Sequence, residues 1–155
     1  MKQSWKRLAV NLAIPLAVGG LSALLSGGMG EYRSLDQPPL SPPGWLFPIV
    51  WTLLYLAMGY AAYRVQISGK NEDQIKKAMS LYWAQLALNF LWSPVFFGLS
   101  WYLVAFFILA ALWVLIYLTM RKFSLVDETA GDLFIPYILW VTFAGYLNLG
   151  IFLLN

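Results

Sequence analysis

Residues 79–99 read MSLYWAQLALNFLWSPVFFGL. No charge interrupts this run, and its length of about 20 residues is what a helix needs to cross roughly 30 Å of hydrocarbon. Yet it carries Gln85, Asn89 and Pro94. Lipid offers no partner to an amide, and proline removes a backbone donor from the helix that contains it. A segment of this kind is either a plain span with interior polar bonds or the wall of a site.

Four further apolar runs of similar length flank it, at Leu8–Gly28, Trp45–Ile67, Trp101–Met120 and Leu133–Leu154. The chain is 61% hydrophobic and 11% charged, against about 25% charged in a soluble domain. The expectation is an all-α integral membrane protein, a five-transmembrane-helix bundle formed by residues 1–155 as a single domain. Lys2, Lys6 and Arg7 before the first run also suit a secretion signal, but the run exceeds the usual apolar core of about 7–15 residues. The formal charge of +3 needs no nucleic acid to explain it, because the basic residues flank the spans.

With the N-terminus inside, nine of the ten basic residues fall on the inner side, and Arg33 alone falls outside. The positive-inside rule then places the N-terminus in the cytoplasm and the C-terminus outside a plasma membrane. No Asp, Glu, Lys or Arg lies deep in a run, which argues against an ion-coupled pump. There is no Cys and no His, so disulfides, thiol nucleophiles, histidine relays and zinc sites are excluded, and no metal is expected.

The connections differ in character. SGKNEDQIKK joins the second and third runs, GLSW makes a tight hairpin between the third and fourth, and RKFSLVDETAGD joins the last two. The outer segment Met29–Gly44 contains Pro38, Pro39, Pro42 and Pro43, which favour a stiff extended path. Such a loop is a lid or a connector over the end of the bundle. Small residues recur every four positions in the first run, at Ala9, Ala13, Ala17 and at Gly19, Ala23, Gly27, a spacing that allows close helix approach.

Residues three or four apart share a helix face. Tyr82, Gln85, Asn89, Trp92 and Phe96 form one such stripe; Tyr137, Trp140, Ala144 and Asn148 form another. Trp51 and Tyr55, Asn11, Pro15, Val18 and Ser22, and Leu109, Trp113 and Tyr117 supply three more. Polar groups in lipid turn inward, so the stripes are expected to converge. Of the eight tryptophans, Trp5, Trp45, Trp83 and Trp101 stand at run ends as interfacial anchors do. Trp51 and Trp92 would lie about 10 Å below the outer boundary, and Trp113 and Trp140 about 20 Å below it. This depth pattern describes a pocket in the outer half, with aromatic walls and Ala144 leaving room. Pro15, Pro48, Pro94 and Pro136 would add kinks that open space. The same stripes also suit a packed core in which Asn89 and Asn148 bond between helices.

Three segments, PPGWLFPIVWTLLYLAMG, AQLALNFLWSPVFFG and IPYILWVTFAGYLN, resemble in order and spacing the signature segments of the TspO/MBR family, the tryptophan-rich sensory proteins related to the mitochondrial translocator protein. The resemblance implies a five-helix bundle, often a homodimer, with a pocket beneath the loop joining the first two helices that binds porphyrins and other flat hydrophobic compounds. Its ligand-binding positions here would be Trp51, Asn89, Trp92, Trp140, Phe143, Ala144 and Asn148; Phe143 comes from the resemblance alone. Two departures stand out. Leu40 occupies a place where many members have tryptophan, and no basic residue follows Asp132, so the terminal sterol motif of the animal proteins is missing.

The expected function is a membrane receptor or sensor for tetrapyrroles, with no cofactor required and porphyrin as the ligand. Without histidine the usual axial ligation of haem is closed, which favours metal-free porphyrin. Light-dependent protoporphyrin breakdown, with Trp51 and Trp140 as photochemical candidates, is the enzyme-like alternative; passive translocation is a third. No acid–base or nucleophilic constellation supports catalysis in the dark.

Overall fold

The computed structural model describes residues 2–27 and 30–155. The described residues form helices and connecting turns. The long helices are α1 (Lys2–Ser26), α3 (Leu46–Gln66), α4 (Glu72–Ser93), α5 (Tyr102–Val126) and α7 (Ile135–Leu154), with short helices α2 (Gly30–Ser34) and α6 (Glu128–Asp132) between them. Four stretches are long and apolar enough to cross a membrane: Ser4–Ser26, Leu46–Gln66, Tyr102–Val126 and Glu128–Leu154. Helix α4 falls outside this set. It starts at Glu72, capped by the Asn71 side chain on the Asp73 amide, and its first turns hold Glu72, Asp73, Lys76 and Lys77. These charges lower the mean hydropathy of a helix whose second half is apolar.

Helix α1 packs chiefly on α3 and then α4, α4 on α5, and α5 on α7. Each close approach has a local cause. Pro15 is the one proline inside α1, and its missing N–H frees the Asn11 carbonyl. Gly59 of α3 lies directly against that carbonyl, where a Cβ would collide with it. Beside this contact the Asn11 and Gln66 amides bond reciprocally, at 2.9 and 3.0 Å. Of the small residues in α1, Gly19 meets the Tyr55 ring, whereas Ala9, Ala13 and Ala17 face outward.

Pro94 acts on α4 as Pro15 acts on α1. It opens a π-helical turn at Pro94–Gly98, and the Phe90 carbonyl loses its i+4 donor. The Ser22 hydroxyl of α1 takes that place, donating to Phe90 O at 2.8 Å. Ser26 donates to Ser22 O at 2.6 Å and stands 2.7 Å from Ser93 Oγ, so Ser93 supplies the second proton. Leu99 and Trp101 amides close the hairpin onto Pro94 and Val95 carbonyls, with Ser100 at φ 57. Pro48 and Pro136 sit in the first turns of α3 and α7, where the missing N–H has no intrahelical partner anyway. They thus lie at helix starts rather than deep inside a helix as Pro15 does.

At the opposite end Arg64 meets Asp127 at 3.2 Å. Burial opposes ionisation of the Asp127 carboxyl, but the Ala130 amide, Arg64 and the Thr129 amide outweigh it and hold the group below its usual value of 3.8.

Replacing Gly59 by Ala should force α1 and α3 apart and cost about 1–3 kcal/mol, typical of overpacking. Gly20→Ala, where a Cβ meets nothing, should leave the thermal midpoint in detergent unchanged or higher. Because the folded Asp127 pKa is depressed, its contribution is full above about pH 4 and fades as pH falls through the folded value. Melting curves of wild type and Asp127→Asn should therefore converge below about pH 4; curves that stay parallel would contradict this.

Candidate functional site

A cavity of about 350 Å³ lies between α1, α3 and the end of α4. Its aromatic wall is Phe47, Trp51, Tyr55, Trp92 and Phe97; its polar lining includes Ser22, Ser26, Asn89 and Ser93. The hydroxyls that repair the proline break thus also face the cavity. Leu16, Gly20, Ala23, Pro48 and Thr52 form the part of the lining that is exposed at the bundle surface. The missing side chain of Gly20 and the flat ring of Pro48 keep that rim low.

Behind the wall runs a fully bonded polar chain. The Tyr55 hydroxyl donates to Asn89 Oδ1 at 2.7 Å, Asn89 Nδ2 donates to the Tyr137 hydroxyl at 2.6 Å, and Tyr137 donates to Gln85 Oε1 at 2.7 Å. These bonds tie α3, α4 and α7 and fix the Asn89 amide orientation at the cavity. A second chain joins Trp92 Nε1 to Asn148 Oδ1 at 3.0 Å and Asn148 Nδ2 to Tyr102 O at 2.7 Å. Trp51 stacks on Tyr55 with centroids 5.6 Å apart, lies 6.4 Å from Trp92 and meets Tyr137 edge-on at 6.2 Å. Its indole therefore forms a rigid partition.

The seven residues named from sequence divide around that partition. Trp51, Asn89 and Trp92 line the cavity. Ala144 and Asn148, with Trp92, border a void of only about 10 Å³ beyond Phe47 and Phe97. Trp140 packs on Phe47 at 5.8 Å and on Phe143 at 5.7 Å, outside both spaces. Its Nε1, like the Tyr82 hydroxyl, is buried with no hydrogen-bond partner among the described residues. The stripe Tyr82–Gln85–Asn89–Trp92–Phe96 is buried throughout. Trp113 and Tyr117 are not in the interior: both are 38% exposed on the outer face of α5.

Sequence reasoning placed Ser22 on a stripe expected to turn inward without naming it as a lining residue, and it missed Ser26, Ser93, Phe47 and Phe97. The signal for the serines was Pro94, which demands a donor for the Phe90 carbonyl. The outer segment is tied down over this end. The Tyr32 ring sits edge-on to Phe47 at 5.4 Å and Phe97 at 6.0 Å. Tyr146 donates to Pro39 O at 2.7 Å, Asn155 bonds both main-chain groups of Asp36, and Pro38 packs on Gly150. Leu40, at φ 71 and 84% exposed, points away from the cavity.

Comparison with known proteins adds an independent finding. The TspO/MBR family model matches residues 11–154. The chain is 39% identical over 150 residues to the "Tryptophan-rich protein TspO" of Chlorobaculum tepidum, covering 96% of this chain and 95% of that one. It is 38% identical over 156 residues to the "Tryptophan-rich sensory protein" of Cereibacter sphaeroides, covering 100% and 95%. With the "Translocator protein" of Bos taurus it shares 35% identity over 148 residues, 90% of this chain and 85% of that one.

Asn89→Leu should leave the buried Tyr55 hydroxyl without an acceptor, at a cost of about 1–3 kcal/mol. Adding Tyr55→Phe should recover part of that loss, seen as positive coupling in a double-mutant cycle of thermal midpoints. Strict additivity would mean that the bond contributes nothing.

Proposed function

The chain belongs to the TspO/MBR family, and from that premise we propose a membrane receptor that binds porphyrins or similar flat hydrophobic ligands in the cavity between α1, α3 and α4. The observation that carries this reading is the aromatic wall itself. Trp51, Trp92 and Phe97 present ring surface, while Asn89 and the three serines offer sparse polar contacts. Flat conjugated ligands suit such a wall because burial and stacking both scale with ring area.

The protein is an integral membrane protein, and the proposed topology adds α4 as a fifth span, since its apolar half packs on α5 and α1. The proposed setting is a plasma membrane with the N-terminus cytoplasmic and the C-terminus outside, following the distribution of basic residues. A homodimer follows family resemblance. The segment from Tyr32 to Pro43 is the proposed lid, hinged over Phe47 and Phe97. Trp140 would act from behind the partition, its unpartnered indole N–H serving as a donor to a ligand acceptor once Phe47 moves. Phe143, Ala144 and Asn148 belong to the same rear wall. No cofactor is required, and with no histidine in the chain to ligate haem iron metal-free porphyrin is favoured over haem, a bound metal adding no affinity of its own.

Light-dependent breakdown is the second reading, favoured by one geometric fact. Trp51 both borders the cavity and stacks on Tyr55, so an indole would lie against a photoexcited ring. Passive translocation has no comparable observation behind it.

Titration of the purified protein with protoporphyrin, read by tryptophan quenching, should saturate. Trp51→Ala should weaken binding about tenfold or more, the order expected for a stacking contact. Trp101→Phe, at the bundle boundary, should leave it unchanged. Zinc porphyrin should bind about as well as the free base. Non-saturable quenching, equal in all three proteins, would rule the reading out.

A further inference from the structure

Two tyrosine–arginine pairs at i,i+4 stand at one end of the bundle, and they differ in one respect. Arg64 lies over the Tyr60 ring at 5.8 Å and is neutralised by Asp127. Arg121 lies over the Tyr117 ring at 5.9 Å and its Nη1 donates to the Tyr117 hydroxyl at 3.3 Å, but it has no acidic partner among the described residues. Both Arg121 and Tyr117 are exposed. The Tyr117 hydroxyl accepts from Arg121 and keeps its own proton to donate, and the guanidinium keeps most of its five donors.

The same face continues along α5. Trp113 stacks on Tyr117 at 5.9 Å with the planes parallel to 2°. Its Nε1 donates to Thr142 Oγ1 of α7 at 2.8 Å, and Thr142 in turn donates to Ile138 O. The indole is therefore pinned across the α5–α7 seam while staying 38% exposed. Eight residues separate Trp113 from Arg121, about 12 Å along the axis, nearly the depth of one leaflet's hydrocarbon, about 15 Å. An unneutralised, preorganised cation thus stands at the boundary, with an ordered apolar track leading from it toward the bilayer centre.

We infer that Arg121, Tyr117 and Trp113 form a binding site for one anionic phospholipid, with the phosphate on Arg121 and Tyr117 and an acyl chain along Tyr117 and Trp113. Charge complementarity selects an anionic lipid over a zwitterionic one, because Arg121 lacks the carboxylate that satisfies its counterpart Arg64. The rings already stack on each other, so the outward face suits a flexible chain better than a third flat ring. Lys122 beside it is exposed and has neither ring nor hydroxyl to orient it among the described residues, which makes it the internal control.

The test is native mass spectrometry of the detergent-purified chain incubated with phosphatidylglycerol or phosphatidylcholine. Wild type should retain one phosphatidylglycerol and no phosphatidylcholine. Arg121→Gln should reduce retention about tenfold or more, as loss of a charge-assisted bond does, and Tyr117→Phe should reduce it less. Lys122→Gln should cost no more than the roughly fivefold effect of an unlocalised surface cation. Thermal midpoints equal to wild type establish that each variant folds, as exposed positions permit. Equal losses for Arg121→Gln and Lys122→Gln, equal retention of the two lipids, or a protein dimer in place of a lipid adduct that Arg121→Gln dissociates, would each overturn the assignment.

Discussion

A helix in lipid cannot leave a carbonyl unpaired, and Pro94 leaves one at Phe90. The answer comes from another helix. Ser22 donates to that carbonyl, and Ser26 and Ser93 bond alongside it. This requirement holds α1 against the end of α4, and the π-helical turn at Pro94–Gly98 carries Phe97, which lines the cavity. Pro15 sets a similar condition lower down, where the freed Asn11 carbonyl accepts Gly59 as its neighbour and no larger residue. The two proline breaks thus mark where α1 touches α3 and the end of α4, and the cavity lies between these helices. The groups that repair the break are also its polar lining.

The rigidity of the wall has a different origin. Each polar atom of Asn89 and Asn148 is committed to a partner, and the chain from Tyr55 to Gln85 runs in one hydrogen-bond direction. Such networks are worth most where water cannot compete. Trp51 and Trp92 are therefore held as fixed plates, and a ligand would meet surfaces that need no ordering on binding. The buried Trp140 N–H and the Tyr82 hydroxyl are the exceptions, interior polar groups without a hydrogen-bond partner among the described residues.

Much of this was legible from residues alone. The stripe from Tyr82 to Phe96 is buried at every position, because a polar group every turn identifies the inward face even where both environments are apolar. Trp113 shows the limit of the same reasoning. It shares a face with Leu109 by spacing, yet Leu109 is buried and Trp113 is exposed. Lipid and protein core are equally apolar, so a helix without amides carries no pattern that separates its two sides. The place of the cavity was hidden for a related reason. Sequence names the residues of each face but not which helices are neighbours, and α1 emerges as a wall only once Ser22 finds Phe90. Helix α4 likewise reads as an apolar run at Met79–Leu99, whereas the folded helix begins at Glu72 and takes charged turns with it.

The central claim is that the gap between α1, α3 and the end of α4, lined by the hydroxyls that answer the Pro94 break, is where a flat ligand sits. A crystal structure of the protein saturated with metal-free protoporphyrin tests it most directly. The macrocycle is expected between α1, α3 and α4, against Trp51 and within reach of Asn89. A macrocycle bound only on the lipid-facing surface, or a cavity occupied by side chains with Trp51 turned away from any ligand, would contradict it.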